Sequence, residues 1–352
     1  MSWGGDTLAT MKEIAALSDV SVATVSHVLS GKKNVSAETR ERVLQAVELT
    51  NYKLNTIAKS LRMNKTHIIG VLVEDICGLP VPEIVDGINE FLETSGYQVL
   101  LSNLRLLQKL YNQYEQLSQY IKNVNQGIQL LEDARVDGII YVAMHDRRIE
   151  GVHQPVGIPM VYAFADCDNP SSISVTYDNE TSAREITRLL IRQGHKRVAL
   201  IAGHANSQAS KQRLSGYRTA MDEAGLHVPS EYIRWGDWEF HSGVEQTEAL
   251  LSLAIPPTAI FAMNDPIAAG CYAAAERHGL KIPADLSVVG FDNREVASCL
   301  YPGLTTVALP NKQIGFTAAK HLLQRLEGQV ETPASTSLPC NIILRESTAL
   351  LR

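Results

Sequence analysis

The alternation of short apolar runs with amphipathic stretches, from residue 67 to the end of the chain, constrains the fold more than any other feature. Runs such as IIGVLV (68–73), RVALIAG (197–203) and LSVVGFD (286–292) have the length and composition of buried strands. The stretches between them carry apolar residues at helical spacing, and several end at a glycine such as Gly96 or Gly194. Because strands that alternate with helices form βαβ units and parallel sheets, the sequence predicts an α/β fold.

The predicted strands form two successive sets, and the second set begins at Ser174. We therefore expect a body of two lobes, each on a doubly wound parallel sheet, with a ligand cleft outside the carboxyl ends of the strands. The late segments 304–310, 314–326 and 341–347 are expected to cross back between the lobes. The predicted boundaries are about 67–164 and 308–332 for lobe 1, and about 165–307 and 333–352 for lobe 2.

The first 50 residues have a different pattern, that of short capped helices. Thr10 and Glu13 have the spacing of a capping box, so a helix should begin directly after Thr10. Asp19 can adopt the left-handed conformation that a tight turn needs, and Ser21 can cap a second helix over residues 22–29. Two short helices joined by such a turn are typical of a helix-turn-helix, whose second helix fits the major groove of DNA.

A third helix completes this N-terminal module. Ser36 is its predicted N-cap, and the helix should run over residues 37–50. Helical spacing predicts a small apolar core shared by the three helices, formed by Ile14, Ala15, Leu17, Val25, Val28, Val43, Leu44 and Val47. Asn55 can cap a further short helix that ends in a basic segment.

Charge separates this module from the rest of the chain. The first 67 residues hold nine Lys and Arg against six Asp and Glu, so their net charge is about +3, whereas the 352-residue chain carries −6. The remainder is therefore near −9. A basic N-terminal region attached to an acidic body is what a protein with a phosphate-binding region shows.

The N-terminal motif is dense enough to identify a resemblance. The pattern AxxSxVSxxTVSxVLxG…VSxxTRxxVxxAxxxxxYxxNxxAxxL resembles the headpiece of the LacI/GalR family of bacterial transcription repressors. Stretches of the body at 194–203, 213–226, 261–270, 279–292 and 303–315 are also similar to that family and to sugar-binding proteins that share the fold of its effector domain. The residues that carry the headpiece resemblance are Ala15, Ser18, Val20, Ser21, Thr24, Val25, Ser26, Val28, Val35, Ser36, Thr39, Arg40, Tyr52, Asn55, Ala58 and Leu61.

The resemblance implies a domain plan and a set of DNA contacts. It implies a three-helix headpiece at 1–53, a hinge helix and linker at 54–66, and a periplasmic-binding-protein-like body at 67–352 that binds the effector and dimerises. The expected base contacts are Val22, Ala23 and His27. The expected phosphate contacts are Ser21, Thr24, Ser26, Ser30, Asn34, Ser36, Thr39 and Tyr52.

His27 stands where the family commonly has arginine. A neutral imidazole can donate one hydrogen bond to guanine, whereas Val22 and Ala23 can offer only an apolar contact to a thymine methyl group. A phosphate contact alone is the simpler interpretation of His27. In the hinge, the resemblance makes Leu61 a wedge between minor-groove base pairs, while Ala58 lets two hinge helices approach and Asn55 begins the helix. An ordinary linker leucine is the alternative interpretation of Leu61.

The resemblance also places effector contacts in the cleft. These are Asp75, Phe164, Arg213, Trp238, Asn264 and Asp292. Charged and amide groups can bind hydroxyls, and the aromatic rings can pack on an apolar face. His145 and Tyr162 are further candidates near strand ends, Asp265 is either a ligand contact or a helix cap, and Arg213 and Asp292 can form a salt bridge.

One segment is longer than the family usually has. Between residues 104 and 131, apolar residues recur at alternating spacings of three and four, without Gly or Pro from 104 to 126. This pattern predicts one helix of about 25–28 residues. It would either pack on its own lobe or protrude towards a second subunit or the cleft.

We therefore predict a cytoplasmic transcriptional regulator, most simply a repressor, that binds a palindromic operator as a homodimer or higher oligomer. A small-molecule effector, expected to be a carbohydrate, would control it; the alternative is a corepressor-type regulator that responds to a nucleobase or other metabolite. An enzyme and an exported solute-binding protein are the competing classes. Against them, the chain has no phosphate loop, nucleophile motif, catalytic site, export signal or membrane span that we recognise, and we expect neither metal nor cofactor. The five scattered cysteines are expected to be reduced.

Overall fold

The computed structural model describes residues 9–29, 35–50, 52, 65–110, 119–169, 172–329 and 335–351. Contacts divide the chain into two units, Met1–Thr66 and His67–Arg352.

The first unit contains the three predicted helices, α1 (Met11–Leu17), α2 (Val22–Leu29) and α3 (Ala37–Leu49). Both hydrogen bonds of the capping box are present, since Thr10 Oγ1 accepts from the Glu13 amide and the Glu13 carboxylate accepts from the Thr10 amide. Asp19 is left-handed, with φ 51°. The predicted helix starts and the helix-turn-helix are therefore confirmed.

The core of this unit is smaller than predicted. Ile14, Val25 and Val43 are fully buried, but Leu17 is 63% exposed and Leu44 is 50% exposed, so these two core assignments were wrong. On α1 the buried stripe continues from Ile14 to Ser18, whose hydroxyl donates to the Ile14 carbonyl oxygen at 2.6 Å. A polar residue that satisfies its hydroxyl within the helix can occupy the position that apolar spacing assigned to leucine.

The second unit contains two large sheets. Among its described residues, sheet 1 has six strands in the order β13, β7, β5, β3, β1, β2, and all of its neighbouring strands pair parallel. Its strands are β1 (Ile68–Val73), β2 (Gln98–Asn103), β3 (Gly138–Val142), β5 (Met160–Ala163), β7 (Ile173–Tyr177) and β13 (Ser335–Leu338). Two short strands, β4 (Arg148–Ile149) and β6 (Asp166–Cys167), pair beside this sheet.

Sheet 2 has the order β14, β12, β11, β10, β8, β9, with β14 antiparallel to β12. Its described strands are β8 (Val198–Ala202), β9 (Ile233–Trp235), β10 (Ala259–Ala262), β11 (Ser287–Asp292), β12 (Thr305–Ala308) and β14 (Asn341–Ile343). Sheet 1 with its helices forms lobe 1, and sheet 2 with its helices forms lobe 2.

Helices cover the sheets because each has one buried face. They are α4 (Val81–Ser95), α5 (Leu106–Leu110), α6 (Ile121–Asp133), α7 (Asn179–Arg192), α8 (Gln208–Glu223), α9 (Phe240–Leu251), α10 (Asp265–Arg277), α11 (Glu295–Cys299) and α12 (Asn311–Leu326). The closest helix pairs meet at glycines; a Cβ on Gly315 of α12 would lie 1.9 Å from the Ile84 carbonyl oxygen of α4. Within the described part of the chain, no helix combines the length and the apolar character needed to cross a bilayer.

The described chain passes between the sheets three times, after Tyr177, after Ala308 and after Leu338. Each lobe is therefore discontinuous, as predicted. The predicted boundaries at 165 and 333 were wrong, because they assigned β7 and β13 to lobe 2, whereas both strands pair in sheet 1. A strand pattern identifies a strand but not its partner, so the sequence could not place these two strands.

The prediction of one long helix over residues 104–131 was also wrong. The structure has α5 and α6 as separate helices, and residues 111–118 lie outside the described residues. The Tyr120 hydroxyl donates to the Lys109 carbonyl oxygen at 3.3 Å. In one straight helix these residues would be separated by about 16 Å of axial rise, which exceeds the reach of a tyrosine side chain.

Candidate DNA-binding helix and ligand cavity

The helix α2 presents two different faces. Val25 and Val28 are buried against the other helices of the first unit, whereas Val22, Ala23 and His27 are exposed. The three predicted base-contacting residues therefore share the solvent-facing side of one helix. This side offers two small apolar groups and one imidazole to whatever the helix meets.

Hydroxyl groups lie at the starts of α2 and α3. Ser21 Oγ accepts from the Thr24 amide at 3.1 Å, and Ser36 Oγ accepts from the Thr39 amide at 3.2 Å. Helix N-termini favour anions, so this arrangement suits phosphate contacts. Ser26 and Tyr52 are half-buried. The remaining predicted DNA contacts lie outside the described residues; these are Ser30, Asn34, Asn55, Ala58 and Leu61.

A cavity of about 1250 Å³ lies between the lobes of the second unit. Five of the six predicted effector contacts line it, namely Phe164, Arg213, Trp238, Asn264 and Asp292. The structure does not bring Asp75 to its wall. The Asp75 carboxylate is buried and accepts from the amides of Cys77 and Leu107, each at 3.0 Å, so it fixes the loop after β1 to the start of α5.

Arg213 is the centre of the lobe 2 wall, and it is only 3% exposed. Its Nε donates to Asn179 Oδ1 at 2.8 Å, and its Nη2 donates to the Tyr177 hydroxyl at 3.1 Å. Its Nη1 donates to the Met263 carbonyl oxygen, and its guanidinium carbon lies 3.7 Å from the centre of the Phe291 ring. A guanidinium with this many partners is fixed in place before any ligand arrives.

Asp292, at the end of β11, is shared by two arginines. Its Oδ1 lies 3.4 Å from Arg213 Nη2, and its Oδ2 lies 3.2 Å from Arg294 Nη2. The salt bridge that the sequence allowed is therefore present. The residue has φ 100°, a backbone conformation that strains any residue with a Cβ. The two ion pairs stabilise this unfavourable conformation at the cavity wall.

The indole of Trp238 lies flat against Gly203, where a Cβ would be 1.9 Å from the ring. Its carbonyl oxygen accepts from Asn264 Nδ2 at 2.9 Å, while Asn264 Oδ1 accepts from the Ile267 amide and so caps α10. Asn264 thus positions the aromatic wall and begins a helix with the same side chain. Gly203 is a residue that the sequence analysis missed, since its importance depends on a ring 35 residues away.

Asp265 lies behind the wall, and it is fully buried. Its carboxylate accepts from the Thr306 hydroxyl and from the Arg294 amide, both at 2.6 Å. Burial, together with the charge of Asp292, raises the pKa of Asp265 to about 7. Tyr162, another candidate, is not among the lining residues, and its hydroxyl accepts from Gln154 at 2.6 Å.

The loop 144–148 supplies polar groups to the lobe 1 wall, of which the sequence analysis singled out only His145. Arg147 forms an ion pair with Glu74, which is fully buried at the end of β1. Burial alone would raise the pKa of Glu74, but the Arg147 guanidinium and hydrogen bonds from Met144 and Tyr141 lower it below its ordinary value. The ionised pair therefore anchors the loop to sheet 1.

Two other side chains of this loop have shifted pKa values. Burial, followed by the charge of Arg147, lowers the pKa of His145 to about 4, so its imidazole is neutral at pH 7. Burial, opposed by Arg213 and assisted by Asp166, raises the pKa of Asp146 to about 6. The Asp146 carboxylate accepts from Asn179 Nδ2 at 2.6 Å.

Comparisons with known proteins agree with this arrangement. Residues 10–55 match the family described as bacterial regulatory proteins, lacI family, and residues 187–348 match the periplasmic binding protein-like domain. The HTH-type transcriptional repressor CytR of Escherichia coli is 35% identical over 349 residues, which are 98% of this chain and 98% of CytR.

Solved structures show the same architecture. The lac repressor dimer bound to operator and the anti-inducer ONPF matches with a TM-score of 0.77 and 27% identity, over 97% of this chain and 100% of that one. The complex of the transcriptional regulator CelR with cellobiose matches with a TM-score of 0.62 and 28% identity, over 96% of this chain and 99% of that one.

Proposed function

The chain belongs to the LacI family of bacterial regulatory proteins, and from that premise we propose how this transcriptional repressor reads its operator and which effector controls it. Two subunits place their α2 helices in major grooves about one helical turn apart. The exposed Val22, Ala23 and His27 contact base edges, and the hydroxyls at the starts of α2 and α3 contact phosphates. The hinge residues Asn55, Ala58 and Leu61 are proposed to enter the minor groove. Because a repressor must meet its operator DNA, the protein is proposed to act in the cytoplasm.

The effector is proposed to be an uncharged, hydroxyl-bearing molecule of the carbohydrate class. The pairing of three of the cavity's four arginines carries this proposal: Arg147 is bound to Glu74, and both Arg213 and Arg294 are bound to Asp292. Five carboxylates and four arginines line the cavity, namely Glu83, Asp146, Glu239, Asp292 and Glu295 against Arg147, Arg148, Arg213 and Arg294. At Arg147, Arg213 or Arg294, a phosphate or carboxylate on the ligand would have to displace a carboxylate that is already bound to the arginine.

Sugar hydroxyls suit the same wall. Each hydroxyl both donates and accepts, so it can hydrogen-bond the carboxylates of Asp146 and Asp292 and the neutral imidazole of His145. Phe164 and Trp238 provide flat apolar surfaces for the C–H face of a ring. The similarity to a regulator solved with cellobiose supports this class.

Operator binding is tested by fluorescence anisotropy with DNA from upstream of the protein's own gene, at fixed salt concentration because phosphate contacts make affinity salt-dependent. We expect His27→Ala to weaken binding to the operator more than binding to unrelated DNA, by about 1–3 kcal/mol. Equal weakening on all sequences would assign His27 to phosphate contact alone.

Effector class is tested by thermal shift with a panel of neutral sugars, their phosphates, nucleosides and nucleobases, because a ligand that binds the folded state raises its melting temperature. We expect a neutral sugar to stabilise the protein and its phosphate not to do so. A nucleobase hit that strengthens operator binding would replace this proposal with the corepressor alternative.

A further inference from the structure

A chain of hydrogen-bonded side chains crosses from lobe 1 to lobe 2 behind the cavity wall. Asn179 is the first residue of α7 in lobe 2, and it is 1% exposed. Its Nδ2 donates to Oδ2 of Asp146, in lobe 1, at 2.6 Å, and its Oδ1 accepts from Nε of Arg213, in lobe 2, at 2.8 Å. Asp146 and Arg213 both line the cavity, whereas Asn179 does not. One buried amide therefore joins two ligand-facing groups on opposite lobes.

The orientation of this amide is fixed by its partners. Asn179 Nδ2 also donates to Gln212 Oε1, on α8 in lobe 2, at 3.0 Å. Both N–H groups and the oxygen of the amide are thus engaged, and rotation of the side chain would break several hydrogen bonds at once. Because the amide is buried, a lost hydrogen bond is not replaced freely by water.

These hydrogen-bonded side chains have a second contact with lobe 1, and the Asp146–Asn179 bond differs from it. Arg213 also donates to the hydroxyl of Tyr177, which is the last residue of β7. Tyr177 directly precedes one of the crossovers, so it stays near lobe 2 however the lobes rotate. Asp146 follows β3, an interior strand of sheet 1, and none of the three crossovers in the described chain is next to it in sequence. A rotation of the lobes would therefore separate Asp146 from Asn179 before it separated Tyr177 from Arg213.

We propose that Asn179 is the positioning residue through which the effector controls the lobes. An effector that hydrogen-bonds Asp146 and Arg213 competes with Asn179 for both side chains, and it releases the bond between the lobes. The inference rests on the proposed effector site in this cavity. It is consistent with the partly buried Asp146 carboxylate, which is a strong acceptor when ionised.

The test uses Asp146→Ala, which removes the bond from the lobe 1 side and leaves Asn179, Gln212 and Arg213 in place. Two exposed cysteines, Cys77 on lobe 1 and Cys299 on lobe 2, can carry spin labels in a background where Cys167 and Cys340 are serine. Double electron–electron resonance then reports the distance between the lobes in the full-length, ligand-free protein. Labelled protein is mixed with excess unlabelled protein so that distances within one subunit dominate.

We expect Asp146→Ala to shift or broaden this distance distribution without any ligand. We also expect the ligand-free operator affinity of this variant to change about tenfold, which is the value of one buried hydrogen bond to a charged group. The change should have the same direction as the change in operator affinity that effector causes in the wild type. Asp146→Asn keeps an oxygen acceptor and should restore most of the wild-type behaviour.

Gln212→Ala is the matched control, because it removes a hydrogen bond from the same amide but within lobe 2. It should keep the wild-type distance distribution and operator affinity. If Asp146→Ala matches the wild type in both measurements, the proposal is wrong. If Gln212→Ala shifts the distances as strongly as Asp146→Ala, the amide is only a packing element and the proposal is also wrong. The spin-label measurement needs neither operator nor effector, so its failure is distinguishable from failure of the proposed function.

Discussion

The two walls of the cavity are built in different ways. The lobe 2 wall comes from regular elements and their ends, with Arg213 within α8, Asn264 before α10 and Asp292 at the end of β11. On the lobe 1 wall, the polar side chains of residues 145–148 come from the loop 144–148, which is anchored by the ion pair between Glu74 and Arg147. The lobe 2 wall is thus organised around a buried arginine with several partners, and the lobe 1 wall depends on one buried carboxylate. Mutations on the two walls should therefore differ in how much they lower the free energy of unfolding.

The largest effect is expected for Arg213→Ala, which leaves Asn179 and Asp292 without their shared partner. We expect the free energy of unfolding to fall by about 3–5 kcal/mol, as measured by urea denaturation. The control is Arg188→Ala, on α7 in the same lobe, because Arg188 pairs with Glu185 and Glu223 on an exposed surface. The control should lose less than about 1 kcal/mol. Similar losses in both variants would contradict a wall organised around Arg213.

The second effect concerns pH, and it tests the support behind the lobe 2 wall. The pKa of Asp265 is raised from 3.8 to about 7, so the folded state binds its proton more tightly than the unfolded state. The resulting stabilisation is fully present below about pH 4 and is lost as the pH rises through about 7, by up to about 4 kcal/mol. Asp265→Asn does not titrate, so its unfolding free energy relative to wild type should rise between pH 4 and 8. A constant difference across that range would show that Asp265 has an ordinary pKa.

A smaller effect is expected for Glu74→Gln, which tests the lobe 1 wall. The amide retains one acceptor oxygen but presents N–H groups to the Arg147 guanidinium. We expect a loss of about 1–3 kcal/mol in unfolding free energy. Glu185→Gln, in an exposed ion pair, is the control and should change stability by under about 1 kcal/mol. A larger loss for Glu74→Gln than for Arg213→Ala would reverse the comparison of the two walls.

The smallest effect on stability is expected for Gly203→Ala. The added methyl group displaces the Trp238 ring from its position against residue 203. The displacement should lower the free energy of unfolding by about 1 kcal/mol and move the tryptophan emission maximum. Trp238→Phe identifies the part of the emission that comes from this ring. Because the ring forms the aromatic wall, effector affinity should fall severalfold while operator affinity without effector is unchanged. Unaltered emission would mean that the ring is not held by Gly203.

The same contrast explains what the sequence could predict. Helix caps are local, so Thr10, Ser21 and Ser36 placed three helix starts correctly from spacing alone. The family resemblance placed the lobe 2 residues Arg213, Asn264 and Asp292 in the cleft, and all three line the cavity, each within or next to a regular element. Their individual contacts with a ligand stay predictions.

The lobe 1 wall depends on contacts that are distant in sequence. Glu74 and Asp75 are adjacent carboxylates after β1, and no local feature indicates which of them pairs with an arginine 73 residues away. Asp75 instead binds the amides of Cys77 and Leu107. Similarly, the apolar repeat between residues 104 and 131 did not indicate that Tyr120 lies within hydrogen-bonding distance of Lys109. Periodicity reports a buried face but not whether one helix or two carry it.

The three crossovers between the lobes have a consequence for how different ligands act. A single covalent link would leave the lobes free to tilt, twist and slide, so each ligand could produce its own displacement. Three links oppose twisting and sliding more than one link does, and a hinge rotation is the motion that they oppose least. Molecules of different shape in the cavity therefore differ in how far they turn the lobes rather than in which way, and such a receptor grades its ligands along a single scale.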